Sequence, residues 1–283
     1  MRKLSLAFFG TPVYAAYLLE KIVSYKGLPI EIKLVVTQPD RAVGKKQIIT
    51  PSPVKTTALK IGNLEIENSL EIENWKLKTK NIDLALVCAF GRILPKEILT
   101  IPKFGFWNIH YSLLPRYRGG APSAYALING DKTTGVTVLQ MDEKLDHGPI
   151  IAQEETEILP DERRPALELR LAKITFEILK KLFRVLSEDA LDIEPKPQNH
   201  SQATYTKLLT KADGFIPFAD LHKPATYNRF RGLYPWPGLW TKVNVNGKEL
   251  RLKIVDMDRT TIKLVQLEGK RPVDWPTFKR AYL

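Results

Sequence analysis

The chain has 283 residues, 44% hydrophobic and 26% charged, which is typical of a globular protein of one large or two ordinary domains. Its single cysteine, Cys88, excludes an internal disulfide and a cysteine-rich zinc site. Of the net charge of +12, residues 201–283 carry +8, which indicates either a polyanion partner for the C-terminal part or an idle basic surface.

The N-terminal sequence bears on location. The apolar run over 4–10 is too short to span a bilayer, and no signal-peptide cleavage pattern follows it. No other stretch is long and apolar enough to cross a membrane. We therefore expect a soluble, cytoplasmic protein with no membrane attachment.

Apolar runs and helical periodicity alternate along the first two thirds of the chain. A strand over 4–10, a helix over 13–25 and a strand over 30–37 predict a parallel sheet with crossover helices. The same patterns predict helices over 53–61 and 164–186 and strands over 84–89, 105–110, 136–140 and 150–158. We assign residues 1–191 to this α/β domain.

The periodicity fails between residues 192 and 213, where Pro195 and Pro197 favour an extended linker. Beyond it, short alternating runs predict strands over 239–245, 249–255 and 261–267, with a hairpin turn at Asn246-Gly247 and a short helix over 223–231. We therefore predict a small, barrel-like β-domain over 214–283.

Two common nucleotide-binding motifs are absent. Gly10 stands alone, so there is no G-x-G-x-x-G fingerprint, and residues 44–46 (Gly-Lys-Lys) lack the other elements of a P-loop. A parallel sheet places its site at the carboxyl ends of the strands. The chemistry must therefore be sought in other residues at that edge.

Two polar clusters are candidates. Asn108 and His110 share one face at the end of the predicted strand 105–110, where they are either structural polar residues with satisfied hydrogen bonds or catalytic groups. Residues 141–148 carry three carboxylates and His147, and form either a solvated acidic turn or part of a site. If their two strands are neighbours, an amide, an imidazole and a carboxylate would converge.

These clusters carry a resemblance to a known family. The pattern Asn108-x-His110-x-Ser-Leu-Leu-Pro, followed later by Leu-Asp146-x-Gly148, resembles the folate-dependent formyltransferases. Other segments are similar to the members of that family that act on methionyl-tRNA. These segments are residues 38–41 (Gln-Pro-Asp-Arg), 52–55 (Ser-Pro-Val-Lys), 198–205, 211–214, 231–238 and 268–272.

The resemblance implies a Rossmann-like N-terminal formyltransferase domain and a C-terminal β-barrel of the oligonucleotide-binding type. It implies transfer of a formyl group from 10-formyltetrahydrofolate, as co-substrate, to the amine of methionyl initiator tRNA, which supplies translation initiation. It also implies a monomer with no tightly bound cofactor and no metal.

The resemblance further implies roles for individual residues. Asn108 and His110 would stabilise charge on the formyl oxygen, and Asp146 would orient His110 and relay a proton. The expected folate contacts are Ser112, Leu113, Leu114, Pro115, Arg92, Ile93 and Leu94. The expected tRNA contacts are Arg41, Lys45 and Lys46.

The sequence departs from the family at several positions near the expected site. Tyr117 stands where Trp is usual, Gly120 where Ala is usual, and residues 147–149 read His-Gly-Pro where Thr-Gly-Asp is usual. The alternatives are a sugar-nucleotide N-formyltransferase, a formyl-folate hydrolase or folate dehydrogenase domain, and a non-catalytic RNA-binding protein. The loop over 38–55 and the basic C-terminal part argue against the first. The basic C-terminal part and a length too short for an attached dehydrogenase argue against the second, and the intact trio of Asn108, His110 and Asp146 argues against the third.

Overall fold

A computed structural model describes residues 2–44, 46–69, 71–188 and 193–283. Its contacts divide the chain into two compact units. Unit 1 comprises residues 1–118, 135–155 and 169–204, and unit 2 comprises residues 119–134, 156–168 and 205–283. The domain ranges 1–191, 192–213 and 214–283 stay a prediction, because the first boundary falls on residues outside the described ranges. No helix in the described part of the chain is long and apolar enough to cross a membrane.

The elements alternate as the apolar pattern predicts. The strands are β1 (Leu4–Gly10), β2 (Ile30–Val36), β3 (Arg41–Val43), β4 (Ile48–Thr50), β5 (Glu65–Glu67), β6 (Leu84–Cys88), β7 (Phe106–His110), β8 (Arg118–Gly119), β9 (Thr133–Gln140), β10 (Ile150–Glu157), β11 (Tyr205–Thr206), β12 (Leu239–Val245), β13 (Lys248–Met257), β14 (Ile262–Leu267) and β15 (Val273–Asp274). The helices are α1 (Val13–Ser24), α2 (Pro53–Ile61), α3 (Ile72–Thr79), α4 (Lys96–Leu99), α5 (Pro122–Asn129), α6 (Arg164–Ser187), α7 (Pro224–Leu233) and α8 (Trp275–Tyr282).

Unit 1 is built on a seven-stranded sheet in the order β10-β9-β7-β6-β1-β2-β5. The strands β5, β2, β1, β6 and β7 are parallel. Because β1 and β6 are covered on both faces, their sequences are nearly continuous apolar runs and do not alternate between apolar and polar residues. The Rossmann-like α/β prediction is confirmed for this part of the chain.

The pairing of β7 with β9 positions the polar clusters. It is antiparallel, with Asn108 opposite Leu139 and His110 opposite Thr137. The strands that carry the two clusters are therefore neighbours, which was the condition for their convergence. Since β9 ends beside the start of β7, where the Met141 N–H donates to the Phe106 carbonyl at 2.8 Å, the following loop must turn back to reach Asn108.

Unit 2 contains a four-stranded antiparallel sheet in the order β12-β13-β14-β15. The predicted hairpin turn lies between β12 and β13, and both Asn246 and Gly247 have positive φ, as a tight two-residue turn requires. The sheet packs with α7 and α8 around buried apolar side chains such as Phe230 and Phe278. The small β-domain is confirmed at the level of an antiparallel sheet.

The core beneath the sheet edge of unit 1 is aromatic. The ring of Phe9 in β1 is fully buried and lies 6.3 Å from Trp75, 5.5 Å from Phe90 and 5.3 Å from Phe106, between ring centroids. Edge-on and tilted ring pairs of this kind add to the free energy of burial. The rings thereby pack strands β1 and β7 against helix α3 and against the segment that follows β6.

We predict that Phe9→Ala lowers the free energy of unfolding by about 3–5 kcal/mol, because the cavity it leaves is walled by three other rings. The measurement is equilibrium denaturation followed by circular dichroism. Val13→Ala is the control, since Val13 is 70% exposed and should change stability by less than about 0.5 kcal/mol. Equal effects of the two changes would contradict the prediction.

Candidate functional site

The structure brings Asn108, His110 and Asp146 together. The Asn108 Nδ2 donates to Asp146 Oδ1 at 2.8 Å, and the His110 Nδ1 lies 3.5 Å from Asp146 Oδ2. Each carboxylate oxygen of Asp146 therefore faces one side chain of β7. The two side chains point the same way because residues 108 and 110 are two apart in a strand. The side chain of Asp146 is only 9% exposed, so Asp146 does not belong to a solvated acidic turn.

The opposite edge of the His110 ring is also occupied. Its Nε2 lies 2.8 Å from the backbone oxygen of Tyr117. A carbonyl oxygen can only accept, so Nε2 carries a hydrogen and donates it. The nitrogen that faces Asp146 is then unprotonated in the neutral ring and bears a hydrogen only in the imidazolium form. The ring is 5% exposed, and its hydrogen bond to the Tyr117 carbonyl fixes its orientation.

The loop that carries Asp146 has unusual geometry. Asp146 has a φ of 47°, in the left-handed region that few side chains adopt. At Gly148, a Cβ would lie 1.9 Å from the Gln140 carbonyl oxygen, so no larger residue fits. Gln198 bonds the same loop, since its Nε2 donates to the carbonyls of Asp146 at 2.9 Å and Gly148 at 2.7 Å.

Gln198 is in turn bonded to a buried arginine. Arg118 is 1% exposed, and its Nε and Nη2 donate to Gln198 Oε1 at 3.2 and 2.7 Å. The same Nη2 donates to His200 Nδ1 at 2.8 Å. Desolvation, and then the charges of His147 and Arg118, hold the pKa of His200 below its usual range. The neutral ring that results can accept the hydrogen bond from Arg118.

Residues 112–115 are bonded within the protein. The Ser112 hydroxyl donates to the Arg116 carbonyl at 2.6 Å, and Leu114 N–H donates to the Thr137 hydroxyl at 3.2 Å. The Leu113 carbonyl accepts from the Arg116 N–H at 3.1 Å. The Pro115 carbonyl accepts from the Thr204 N–H at 3.2 Å. These groups fix the loop's shape, and their role as folate contacts stays a prediction.

Residues 92–94 follow β6 at the same edge of the sheet. Arg92 and Ile93 are exposed, Ile93 by 91%, whereas Leu94 is 5% exposed and packs in the core cluster that includes Phe9 and Phe90. The structure thus offers the side chains of Arg92 and Ile93 to a ligand, while Leu94 supports them from below. Contact with folate stays a prediction for all three.

The sequence predicts a loop for the tRNA-contacting residues, but Arg41 lies in strand β3 of a β3–β4 hairpin, and Lys46 lies in the turn before β4. Arg41 is exposed and its Nη2 donates to Gln38 Oε1 at 2.6 Å. Gln38 is buried and donates to the Phe90 carbonyl at 3.1 Å, which ties the base of the hairpin to the end of β6. Lys46 is exposed, and Lys45 lies outside the described residues.

His147 belongs to a separate small cluster. Its ring stacks on His200 with centroids 4.0 Å apart, and its Nδ1 lies 2.7 Å from Asp142 Oδ2. Among the residues described by the structure, no group of three or more His, Cys, Asp or Glu could hold a metal ion.

Sequence reasoning did not identify Tyr117 and Gln198 as site residues. Tyr117 acts through its backbone carbonyl, which leaves no signal in side-chain chemistry. Gln198 lies in a proline-rich stretch that reads as a linker, and only the likeness of residues 198–205 to the family gave a signal.

Comparisons with known proteins show the family and the fold of the chain. The formyl transferase family matches residues 3–182. A methionyl-tRNA formyltransferase from Caldicellulosiruptor saccharolyticus is 41% identical over 243 residues, which are 84% of this chain and 76% of that protein. Two solved structures share the fold. The methionyl-tRNA formyltransferase from Clostridium thermocellum has a TM-score of 0.62, is 18% identical and covers 96% of this chain and 99% of its own. An N-formyltransferase from Helicobacter canadensis, in complex with folinic acid and dTDP-3-aminofucose, has a TM-score of 0.62, is 20% identical and covers 95% and 96%.

We predict that Gly148→Ala displaces the loop that carries Asp146, because the added Cβ cannot remain 1.9 Å from the Gln140 oxygen. A crystal structure of the variant should show the Asn108–Asp146 hydrogen bond lengthened or lost. Leu145→Ala is the control, since Leu145 lies in the same loop and is 58% exposed. An unchanged loop in the Gly148 variant would show that this close approach does not fix the site.

Proposed function

The chain belongs to the methionyl-tRNA formyltransferase family, and we propose that it transfers the formyl group of 10-formyltetrahydrofolate to the α-amine of methionyl initiator tRNA. The product, formylmethionyl-tRNA, supplies translation initiation. The observation that carries the proposal is the convergence of Asn108, His110 and Asp146 at one buried carboxylate. We further propose that the chain acts as a monomer in the cytoplasm, as the family resemblance implies.

Asn108 is suited to stabilise the transition state. The neutral amine attacks the formyl carbon, and negative charge develops on the formyl oxygen. An amide NH2 has two hydrogens. One is directed at Asp146 at 2.8 Å, which fixes the amide plane so that the other can donate to the formyl oxygen. A preorganised donor of this kind is worth about 3 kcal/mol of barrier.

His110 and Asp146 are suited to move the proton. The new C–N bond leaves an excess proton on the attacking amine, and breaking the old bond requires a proton on the folate nitrogen. Asp146 can accept the proton from the amine and return a proton to the folate nitrogen as the old C–N bond breaks. His110 lies beside this carboxylate, with its Nδ1 3.5 Å from Oδ2, and can orient it during the transfer. Direct contact of His110 with the formyl oxygen requires that its Nε2 exchange the Tyr117 carbonyl for the substrate.

The folate co-substrate would lie along Ser112, Leu113, Leu114 and Pro115, with its ring system against residues 92–94. The exposed Ile93 offers apolar surface there, and Arg92 offers a cation. The loop over 112–115 is rigidified by its internal hydrogen bonds, so it would meet the ligand in a preformed shape.

The tRNA would be held by charge. Arg41 and Lys46 belong to the hairpin whose base is tied to the end of β6 through Gln38, and Lys45 precedes Lys46 in sequence. Residues 201–283 carry a net charge of +8. We propose that the antiparallel sheet of unit 2 belongs to a barrel of the oligonucleotide-binding type, which contacts the phosphate backbone with little sequence readout.

We predict that Asn108→Ala lowers kcat for formyl transfer to methionyl initiator tRNA by about 10²- to 10³-fold, because one donor to the developing charge is lost. The measurement uses 10-formyltetrahydrofolate and saturating tRNA, with an amino-sugar nucleotide and water as competing acceptors. Transfer by the wild type to the sugar but not to tRNA would contradict the proposed acceptor. A variant that lost folate affinity but kept its turnover would contradict the role of Asn108.

We also predict that Arg41→Ala weakens tRNA binding and reduces the slope of log affinity against log salt by about 1, as expected for one lost phosphate contact. Filter binding from low to moderate salt measures both quantities. Lys103→Ala removes one exposed charge from the same unit and should leave the slope unchanged. If the two variants behave alike, Arg41 contributes only general charge.

A further inference from the structure

Asn108 and His110, the two trio residues on β7, contact groups on two loops. Residues 115–118 carry the Tyr117 carbonyl that accepts from His110, and residues 146–148 carry Asp146 itself. The two loops are far apart in sequence. A third segment, residues 198–204, contacts both of them. The sequence predicts that this segment is a linker, yet its contacts described here all lie within unit 1.

Gln198 fixes the Asp146 loop at two points. Its Nε2 has two hydrogens, and they go to the carbonyls on either side of residue 147, at 2.9 Å for Asp146 and 2.7 Å for Gly148. The side chain is 6% exposed, and its Oε1 accepts from Arg118. All the polar atoms of the Gln198 side chain are therefore engaged. Replacement by an apolar residue would leave buried carbonyls and a buried guanidinium short of partners.

Thr204 fixes the Tyr117 loop at three points. The Tyr117 N–H donates to the Thr204 hydroxyl at 2.8 Å. The Arg118 N–H donates to the Thr204 carbonyl at 2.8 Å, and the Thr204 N–H donates to the Pro115 carbonyl at 3.2 Å. Tyr117 has a φ of 62°. A residue in this strained conformation keeps it only where the surroundings impose it, and the hydroxyl of Thr204 bonds the N–H of that same residue.

Arg118 joins the two contacts into one network. Its backbone N–H is bonded to Thr204 and its guanidinium to Gln198. A shift of either loop is therefore opposed by the other through a buried side chain. The His200 ring completes the set by accepting from the same guanidinium at 2.8 Å.

We propose that Gln198 and Thr204 are positioning residues, which hold Asp146 and the Tyr117 carbonyl so that the carboxylate and the His110 ring keep their geometry. The inference rests on the proposed roles of Asn108, His110 and Asp146. Neither residue touches substrate in this account. Their loss should therefore lower kcat while leaving KM for both substrates within about twofold, because only the chemical step needs the alignment.

The test measures steady-state formyl transfer to methionyl initiator tRNA by the whole chain, which gives both kcat and KM. Gln198→Leu removes the donors and the acceptor, and we expect kcat to fall about 10- to 100-fold. Gln198→Glu keeps an acceptor for Arg118 but cannot donate to the two carbonyls, and should fall similarly. Ser201→Ala, in the same segment and exposed, is the matched control and should retain wild-type kcat.

Two further comparisons separate positioning from simple loss of stability. Thr204→Val removes the hydroxyl and should lower kcat, and Thr204→Ser should restore it. In the double variant Gln198→Leu with Asp146→Asn, kcat should fall no further than in Asp146→Asn alone, because Gln198 acts through Asp146. Additive losses in that double variant would overturn the inference.

The outcomes distinguish this inference from the proposed function. Wild-type enzyme that forms no formylmethionyl-tRNA would contradict the proposed function. If the wild type is active and Asp146→Asn is inactive, a normal kcat in the Gln198 and Thr204 variants would overturn the positioning roles and leave the proposed function standing. A raised KM for tRNA with normal kcat in those variants would assign the segment to substrate binding and likewise overturn them.

Discussion

The site depends on how one buried carboxylate is satisfied. An ionised carboxylate away from water is costly unless hydrogen-bond donors surround it. The side chain of Asp146 is 9% exposed. One of its oxygens accepts from Asn108 Nδ2 at 2.8 Å, and the other lies 3.5 Å from His110 Nδ1, which donates to it in the imidazolium form. Both partners lie on a single strand, so the sheet sets their spacing. The carboxylate, by contrast, lies on a loop that must turn back from the far end of β9 to reach them. The sheet therefore fixes Asn108 and His110, whereas Asp146 has to be held in place by contacts outside the sheet.

Much of the fold follows from apolar periodicity. The predicted bounds agree to within two residues at each end for the central strands β1, β6 and β7 and for the helices α1, α2 and α6. Strands buried on both faces are continuous apolar runs, and helices buried along one stripe show apolar residues at helical spacing, so both patterns are clear in the sequence. The elements that were not predicted lack such a pattern. Five of the eight residues of helix α3 are polar. Helix α5 begins after Ala121, which is not a capping residue and has a φ of 54°, so only Pro122 at its first position marks its start. The β3–β4 hairpin leaves all its described side chains exposed, so no burial pattern marks it.

The site residues also divide into those that the sequence could predict and those that it could not. Asn108, His110 and Asp146 could be singled out because polar side chains at strand ends are conspicuous in an apolar sequence and match a family pattern. The contacts that hold them could not, because these are made to backbone carbonyls. The Tyr117 carbonyl accepts from His110, and the carbonyls of Asp146 and Gly148 accept from Gln198. A backbone atom is available at every residue, so only the fold decides which one is used. Gln198 was equally hidden, since its role depends on a contact 52 residues distant from Asp146 in sequence. Likewise Leu94, expected at the folate, faces the core, because its local pattern does not distinguish the two sides of a short loop.

The departure from the family at residue 147 fits the same network. Where Thr is usual, His147 places its ring 4.0 Å from that of His200, nearly parallel at 4°, and bonds Asp142 at 2.7 Å. The stack links the Asp146 loop to the segment over 198–204 beside the contact made by Gln198. Because His200 also accepts from Arg118, the ring contact and the guanidinium contact share one residue. His147, next to Asp146 in sequence, thus adds a second attachment of the same loop to the same segment. Because its hydrogen bond is made to Asp142, it bears on Asp146 through the loop that the two residues share.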